Sequence, residues 1–480
     1  VRLPEAEVSP MNESQCLKVP APPGMREACD STATAVARRL TEAGFEAYLA
    51  GGCVRDLLRR QLPKDYDICT SATPQQVQAL FPQSVAAGKA FGVVIARMGE
   101  TEFEVATFRI DHDYEDGRRP QSVSFTDARH DAMRRDFTIN ALFYDPSTNT
   151  IIDHIGGLAD LEAGLIRAVG DPLSRFAEDH LRMLRAVRFQ ATLGFRLDPR
   201  TAEAIRTTAG QLARISAERI RDEFTRILTE SQRVGDALGL LDELALLKVF
   251  LPEVCALKGQ EQPADLHPEG DVFAHTVKML NLMKTSDIRL AYAVLLHDIG
   301  KPAAAELIDG RIRFNYHAER GAGTAAGIMA RFRMSTGDSD AICHIIRDHS
   351  RMTNVRDMKL STLRKLIGSP TFPQELELHR LDRLASTGDT STYEFLVETR
   401  DRLRSEPVLP AAWITGRDIM ALGVPEGRAV GLWRNAVYDM QLEGAYPDRA
   451  ALLHWLEGEI AAGRTPACHP TAGPTAGFCD

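Results

Sequence analysis

From residue 31 onward the chain switches repeatedly between two hydrophobic periods. Residues 31–44, containing TATAVARRLTEAG, place apolar side chains three and four apart and close on Gly44, which predicts an amphipathic helix. EAYLAGG then reads as a strand entering a glycine turn, VRDLLRR as a short helix and DYDICT as a second strand. The helical run TPQQVQALF follows, then two strand-like runs, GVVIARM and EFEVATFR. These elements predict a small α/β head over residues 31–154.

Beyond it the helical period dominates. RMLRAVRFQATL and RIRDEFTRIL carry apolar residues at helical spacing, so residues 155–260 read as a mostly helical domain. KGQEQPADLHPEG breaks the pattern as a linker. DVFAHTVKMLNLM opens another helical block, assigned to residues 265–395, and SEPVLPAAWITGRD precedes a last helical module at 405–462. The proline-rich, aperiodic residues 1–30 and the weakly apolar tail 463–480 read as flexible. Met11 is a candidate start. The fold class expected is α+β, a small head followed by mostly helical domains.

Composition narrows this picture. Hydrophobic residues make up 44% of the chain and charged residues 26%, as in ordinary globular proteins. No apolar run approaches the roughly 20 residues of a membrane span, so the expected location is the cytoplasm. Eight scattered cysteines form no C-x-x-C pair, which argues against a structural zinc site. The net charge of −9 excludes a protein coated in basic patches. Between residues 171 and 230, however, stand eleven arginines, no lysines and nine acidic residues. Arginine there could serve phosphates and bases or helix-surface salt bridges, and the count does not decide between them.

The first candidate chemistry lies in LAGGCVRDLLRRQLPKDYDICT. Side chains two apart on a strand share a face, so Asp65 and Asp67 are expected side by side. Paired carboxylates repel unless a cation lies between them, and Mg²⁺ satisfies both while leaving coordination sites for phosphates. Gly51, Gly52, the helix N-terminus and Arg55 together favour a triphosphate.

GGCVRD…KDYDICT resembles the active-site signature of the polymerase-β-type nucleotidyltransferases. More narrowly, it resembles the class II family of CCA-adding tRNA nucleotidyltransferases and bacterial poly(A) polymerases. EVATFR, RRDFTINAL, RFAEDHLRMLRAVRF and SAERIRDEF follow in the family's order. The resemblance implies that Asp65 and Asp67 hold Mg²⁺, with Glu104 as a candidate third carboxylate. It implies that Arg135, Asp136 and Asn140 contact ribose and phosphates; a bracing Arg135–Asp136 pair is the competing reading. Glu178, Asp179, Arg182, Arg185 and Arg188 fall in the nucleotide-selecting helix, with Asp179 and Arg182 expected on one helix face. A carboxylate that accepts from an exocyclic amine, beside a guanidinium that donates to the ring, would admit CTP and ATP and reject UTP and GTP. The polar segment Arg109–Asp127 is expected to be a mobile loop and resembles the one used to switch from C to A addition.

A second constellation is histidine-rich. DVFAHT, LLHDIGKP, FNYHAERG, IRDHS and HRLDRLAS lie on successive predicted helices. The order His275…His297–Asp298…Asp382 resembles the HD phosphohydrolases, implying a divalent transition metal or Mg²⁺ on those four residues. His317 and His349 could bind a second ion or a phosphate, and Lys301 could neutralise phosphate charge.

The leading expectation is an enzyme that adds CCA to tRNA from CTP and ATP, with tRNA as partner and no membrane. An A-adding enzyme or a poly(A) polymerase is the alternative within the family. An HD nucleotide or cyclic-phosphate hydrolase with a vestigial head is disfavoured by the intact polar motifs, and a non-catalytic RNA-binding protein would show decayed carboxylates.

Overall fold

The computed structural model describes residues 16–88, 92–114, 120–263, 267–405 and 407–465. They form two compact units. The first holds the described residues up to 262 with 270–295 and 326–336; the second holds those of 263–269, 296–325 and 337 onward.

The first unit begins with an eight-stranded sheet. Its strands are β1 (Leu17–Pro20), β2 (Ala47–Ala50), β3 (Asp67–Thr70), β4 (Val85–Gly88), β5 (Val93–Met98), β6 (Thr101–Thr107), β9 (Phe143–Asp145) and β10 (Thr150–Asp153), while β7 (Arg109–Tyr114) and β8 (Pro120–Phe125) pair separately. The order is β1-β10-β9-β2-β3-β6-β5-β4, parallel between β3 and β6 and antiparallel elsewhere. Alternation sorts the side chains. Leu49 and Ile68 join the core beneath the helices Ser31–Glu42 and Pro74–Leu80, with Val36, Leu40, Val77 and Phe81. Ala50 and Cys69 point the other way, into a smaller cluster with Phe108, Phe143, Ala128 and Ala132.

Three expectations need correction. The strand predicted through DYDICT begins only at Asp67, because its partner β2 ends at Ala50, the residue paired with Asp67, and the chain turns away at Gly51. Asp65 therefore precedes the strand rather than sharing its face. Within the expected flexible lead-in, Leu17–Pro20 forms an edge strand on β10. The expected loop Arg109–Asp127 is a β-hairpin at both ends, with Arg109 opposite Phe125 and His112 opposite Ser122; residues 115–119 lie outside the described residues, as do 466–480 of the tail.

The helices Arg182–Leu193, Ala217–Glu230, Val234–Glu243 and Val272–Leu282 complete the first unit. Phe224 stacks edge-on with Phe250, Tyr292 and Phe332, which fixes the neck helix by an aromatic cluster. In the second unit two further cores form, one around Leu366, Phe372 and Leu396 and one around Ile419, Trp433 and Leu456.

Candidate active site and histidine cluster

A cleft of about 820 Å³ opens in the first unit. Asp65, Asp67 and Glu104 line it together with Gly51, Gly52, Arg55, Arg135, Asp136, Asn140, Asp179, Arg182, Arg185 and Arg188. Glu178 is not among the lining residues. Glu104 sits on β6, beside β3 in the sheet, so three carboxylates meet at one end of the cleft. Partial burial raises the pKa of Asp67, with a further push from Asp65 that Arg135 opposes. Burial also raises Glu104, and both aspartates add to the shift. Three neighbouring carboxylates, two of which (Asp67 and Glu104) have a raised affinity for positive charge, suit a hard divalent cation.

The glycine turn approaches this centre closely. Gly51 has φ +75°, and a Cβ there would lie 2.9 Å from Arg135 Nη1 and 3.7 Å from Asp67 Oδ2. Arg135 cannot yield easily: it donates to Asp131 at 3.1 Å, to the Asn140 carbonyl at 3.1 Å and to Cys69 Sγ at 3.2 Å. Burial works against its charge, but Cys69, Asp131 and Asp67 more than offset this and raise its pKa. Gly51→Ala is accordingly expected to cost about 1–3 kcal/mol in a denaturant melt and to weaken nucleotide binding, because the strain falls on Arg135 and Asp67 together.

The Arg135–Asp136 pair of the competing reading does not form. Arg135 binds Asp131, whereas Asp136 accepts from Arg185 Nη2 at 2.6 Å and from Asn140 Nδ2 at 3.1 Å. Burial opposes the Asp136 charge, but Arg185 and Asn140 outweigh it and hold its pKa at about 2. Arg55 Nη1 donates to Asn140 Oδ1 at 2.7 Å, completing a chain Arg55–Asn140–Asp136–Arg185 along one wall. Phe189 carries the guanidinium groups of Arg55, Arg185 and Arg188 on or near its ring, at 5.2, 5.3 and 4.2 Å from the centroid.

The selecting helix departs from expectation. The chain forms Pro172–Glu178, breaks, and resumes at Arg182–Leu193. Asp179 occupies the break with extended backbone, φ −144° and ψ 104°. It does not pair with Arg182; Arg219 Nη2 donates to Asp179 Oδ2 at 2.8 Å. Arg182 Nη1 instead donates to Glu178 at 2.6 Å and to the Arg175 carbonyl, and its Nη2 donates to the Arg134 carbonyl at 3.1 Å. Arg188 pairs with Glu223 at 2.6 Å. The arginines of this region thus brace helices, and several of them also line the cleft. Sequence reasoning missed Arg59, Lys64, Arg109, Arg134, Arg219 and Arg226 as lining residues.

In the second unit, His297 and Asp298 lie in a turn after the helix Ile288–Leu296. A Cβ on Gly300 would fall 2.1 Å from the His317 carbonyl, so this glycine permits the start of the helix His317–Arg331 to pack against the turn. Asp298 Oδ2 meets His297 Nε2 at 3.0 Å and Lys301 Nζ at 2.6 Å. Its Oδ1 lies 3.6 Å from His317 Nε2 and 4.0 Å from His349 Nε2. Asp298, His317 and His349 offer ligand atoms within 4.8 Å of one another, and so do His297 and Asp382. His275 is fully buried on the helix Val272–Leu282 of the first unit.

The donor set fits a metal. His317 Nδ1 donates to the Phe314 carbonyl at 2.8 Å and His349 Nδ1 to the Ile346 carbonyl at 2.6 Å. Both Nε2 atoms, 3.2 Å apart, are then left as lone-pair acceptors. Burial lowers the pKa of His317, and burial with the neighbouring His297 takes His349 to about 4. Two neutral imidazoles whose lone pairs converge beside a carboxylate could hold a cation.

The comparisons with known proteins agree with this geometry. Residues 47–167 match the poly A polymerase head domain, residues 194–258 the "Probable RNA and SrmB- binding site of polymerase A", and residues 272–387 the HD domain. The CCA-adding enzyme of Lactobacillus johnsonii is 47% identical over 245 residues, half of this chain and 59% of its own length. That of Geobacillus thermodenitrificans is 46% identical over 229 residues, 48% of this chain and 56% of its own. The chain thus spans little more than half the length of these curated relatives. The structure of the Bacillus stearothermophilus CCA-adding enzyme in complex with CTP superposes with TM-score 0.69 at 26% identity, over 90% of this chain and 98% of that one. The Thermotoga maritima CCA-adding enzyme complexed with tRNA-CCA shares the fold at TM-score 0.59 and 19% identity, over 92% and 99%. Matches to a polymerase head domain, an RNA-binding segment and an HD domain therefore follow one another along the chain. The chain is thus similar in sequence to curated CCA-adding enzymes over about half of its length, and in fold to a solved CCA-adding enzyme over 90% of it.

Proposed function

We propose that this protein adds CCA to the 3′ end of tRNA from CTP and ATP. The observation that carries this reading is the cleft itself, in which three carboxylates stand at one end and a wall of arginines and Asp179 runs beside them. Asp65, Asp67 and Glu104 would hold Mg²⁺, which supplies charge neutralisation at the phosphates and acidifies the 3′-hydroxyl when bound. Gly51, Gly52 and Arg55 would seat the triphosphate, and Asn140 and Asp136 the ribose. Asp179, Arg182 and Arg185 would read the base. Arg135 would act from behind, keeping Asp67 charged and the glycine turn in place. Tertiary shape and phosphate contacts along the helical neck would hold tRNA, since one enzyme must accept many tRNAs. No helix among the described residues is long and apolar enough to cross a membrane, and a cytoplasmic location suits the substrate.

The test supplies CTP and ATP separately to tRNA ending at the discriminator base and to tRNA ending in CC. Full CCA addition predicts C uptake on the first and A uptake on the second. Uptake of ATP onto the CC substrate alone would reduce the activity to A addition, and long A-tails on unrelated RNA would favour the poly(A) reading. For the second unit we infer a metal-dependent phosphohydrolase, with His297, Asp298 and Asp382 as ligands, His275 joining them by the family's motif order, and Lys301, His317 and His349 near the phosphate or a second ion.

A further inference from the structure

Part of the cleft lining has no role in the nucleotide reading. Arg59, Gln61, Leu62 and Lys64 come from the segment between the glycine turn and the acidic pair, and Arg226 and Glu230 from the neck helix Ala217–Glu230.

The course of that segment is set locally. The helix Gly52–Leu58 stops with Arg60 at φ +59°. The Arg60 amide donates to the Leu57 carbonyl at 2.9 Å and the Gln61 amide to the Asp56 carbonyl at 2.8 Å, the paired bonds of a left-handed helix stop. Anchors then hold both sides of the loop. Arg59 Nη2 donates to the Leu193 carbonyl at 3.4 Å with its guanidinium 5.2 Å from the Phe195 ring centroid, and Lys64 Nζ meets Glu230 at 3.4 Å. Leu62 stands between these anchors and is 82% exposed, more than any other large apolar side chain among the described residues. A lone exposed leucine on an open surface needs no explanation, but this one lines a polar cleft on a tethered loop. It lies three residues before Asp65, so the two Cα atoms are within about 11 Å of each other. Glu230 is shared by Lys64 and the half-exposed Arg226, weak pairs that a phosphate can replace.

Resting on the CCA-adding reading above, we propose that this loop is the platform for the 3′-terminal nucleotide of the RNA acceptor. Leu62 covers the face of the terminal base, and Lys64 and Arg226 contact the phosphate behind it. In-line transfer needs the acceptor 3′-hydroxyl held at the carboxylate centre, opposite the leaving pyrophosphate. The wall Arg55–Asn140–Asp136–Arg185 serves the incoming nucleotide, so the acceptor needs groups of its own. Those groups must tolerate a changing partner, because the terminal nucleotide is first the discriminator base and then cytosine. An aliphatic side chain covers any base face by apolar burial and reads no base edge. Cations on a phosphate likewise carry no sequence information.

The experiment is single-turnover CTP incorporation by the full-length chain at subsaturating tRNA, with equilibrium binding of Mg-CTP measured separately without RNA. One tRNA ends at the discriminator base; the other is identical but abasic at that terminal nucleotide. Leu62→Ala is expected to slow incorporation on the intact tRNA roughly tenfold and to leave CTP affinity unchanged, and Leu62→Met should restore most of the rate. On the abasic tRNA wild type should already be slow, and Leu62→Ala should add little. Lys64→Gln should slow both substrates alike and flatten the salt dependence. A melt of each variant establishes folding. An unchanged rate in Leu62→Ala, an equal loss on both tRNAs, or a parallel loss of CTP affinity would overturn the proposal. No incorporation by wild type on either tRNA would instead remove the CCA-adding reading, and this inference with it.

Discussion

Asp67→Ala is expected to reduce nucleotide incorporation by at least roughly 10³-fold, equivalent to about 4 kcal/mol of barrier, the scale of losing a bound metal's charge stabilisation. The geometry makes this a clean test. Asp67 is the first residue of β3, and its backbone pairing with Ala50 does not involve the carboxylate. Removing its carboxylate relieves repulsion with Asp65 and Glu104 and leaves the Arg135 brace on Asp131, Asn140 and Cys69 in place. The fold should therefore survive, as a melting curve would report, while single-turnover incorporation of CTP fails. Asp65→Ala should behave alike. Glu104→Gln should lose less, since Glu104 lies on the neighbouring strand and its position relative to the pair sets how fully it shares the cation. A near-normal rate in Asp67→Ala would remove the carboxylate centre as the site of chemistry. The hydrolytic activity proposed for the second unit should be indifferent to all three changes.

How far the sequence discloses this site depends on whether local chemistry or tertiary convergence built each part. The glycine turn and the acidic pair are legible because each is short, and because glycine at φ +75° and paired carboxylates have few alternative uses. The helical and strand periods are legible for the same local reason. The break between Glu178 and Arg182 is not: AEDHLRM holds neither glycine nor proline, and an unbroken helix is the natural reading. The break is enforced from outside, by Arg219 on a helix forty residues away and by His180 Nδ1 donating back to the Phe176 carbonyl at 2.8 Å. The β7–β8 hairpin was equally hidden, because its strands RIDHDY and PQSVSF lack a continuous apolar face. Arg59, Lys64 and Arg134 reach the cleft from three separate elements, and nothing in their neighbourhoods marks them. Arg219 and Arg226 did leave a signal, the i, i+4, i+7, i+11 stripe of the neck helix, which reads as a solvated face until the apolar side is seen to be fully packed.

His349→Ala is expected to cut divalent-metal affinity in the second unit by at least about 10–100-fold, the range for losing even an outer partner of a metal site. Three variants compete for this test, and the structure separates them. Asp298→Ala would remove a ligand, but it would also take away the carboxylate that meets buried Lys301 at 2.6 Å, so lost stability would obscure lost metal. His317→Ala removes the first side chain of a helix packed against the Gly300 turn, which risks the turn as well. His349 is buried, neutral at pH 7 with its pKa near 4, and contributes an Nε2 lone pair 3.2 Å from that of His317. Its removal leaves no buried charge unpaired and takes away one of two converging lone pairs. Metal content of the purified full chain, and the rise in melting temperature on adding Mn²⁺ or Ni²⁺, give two independent readings. A site at a hundred times its dissociation constant stabilises its unit by about 2.7 kcal/mol, an increment that should largely vanish in the variant. CTP and ATP incorporation should be unaffected at the same time. Unchanged metal content and an unchanged thermal shift would show that the histidines are packing residues, and that the second unit has kept the helices of an HD domain without its chemistry.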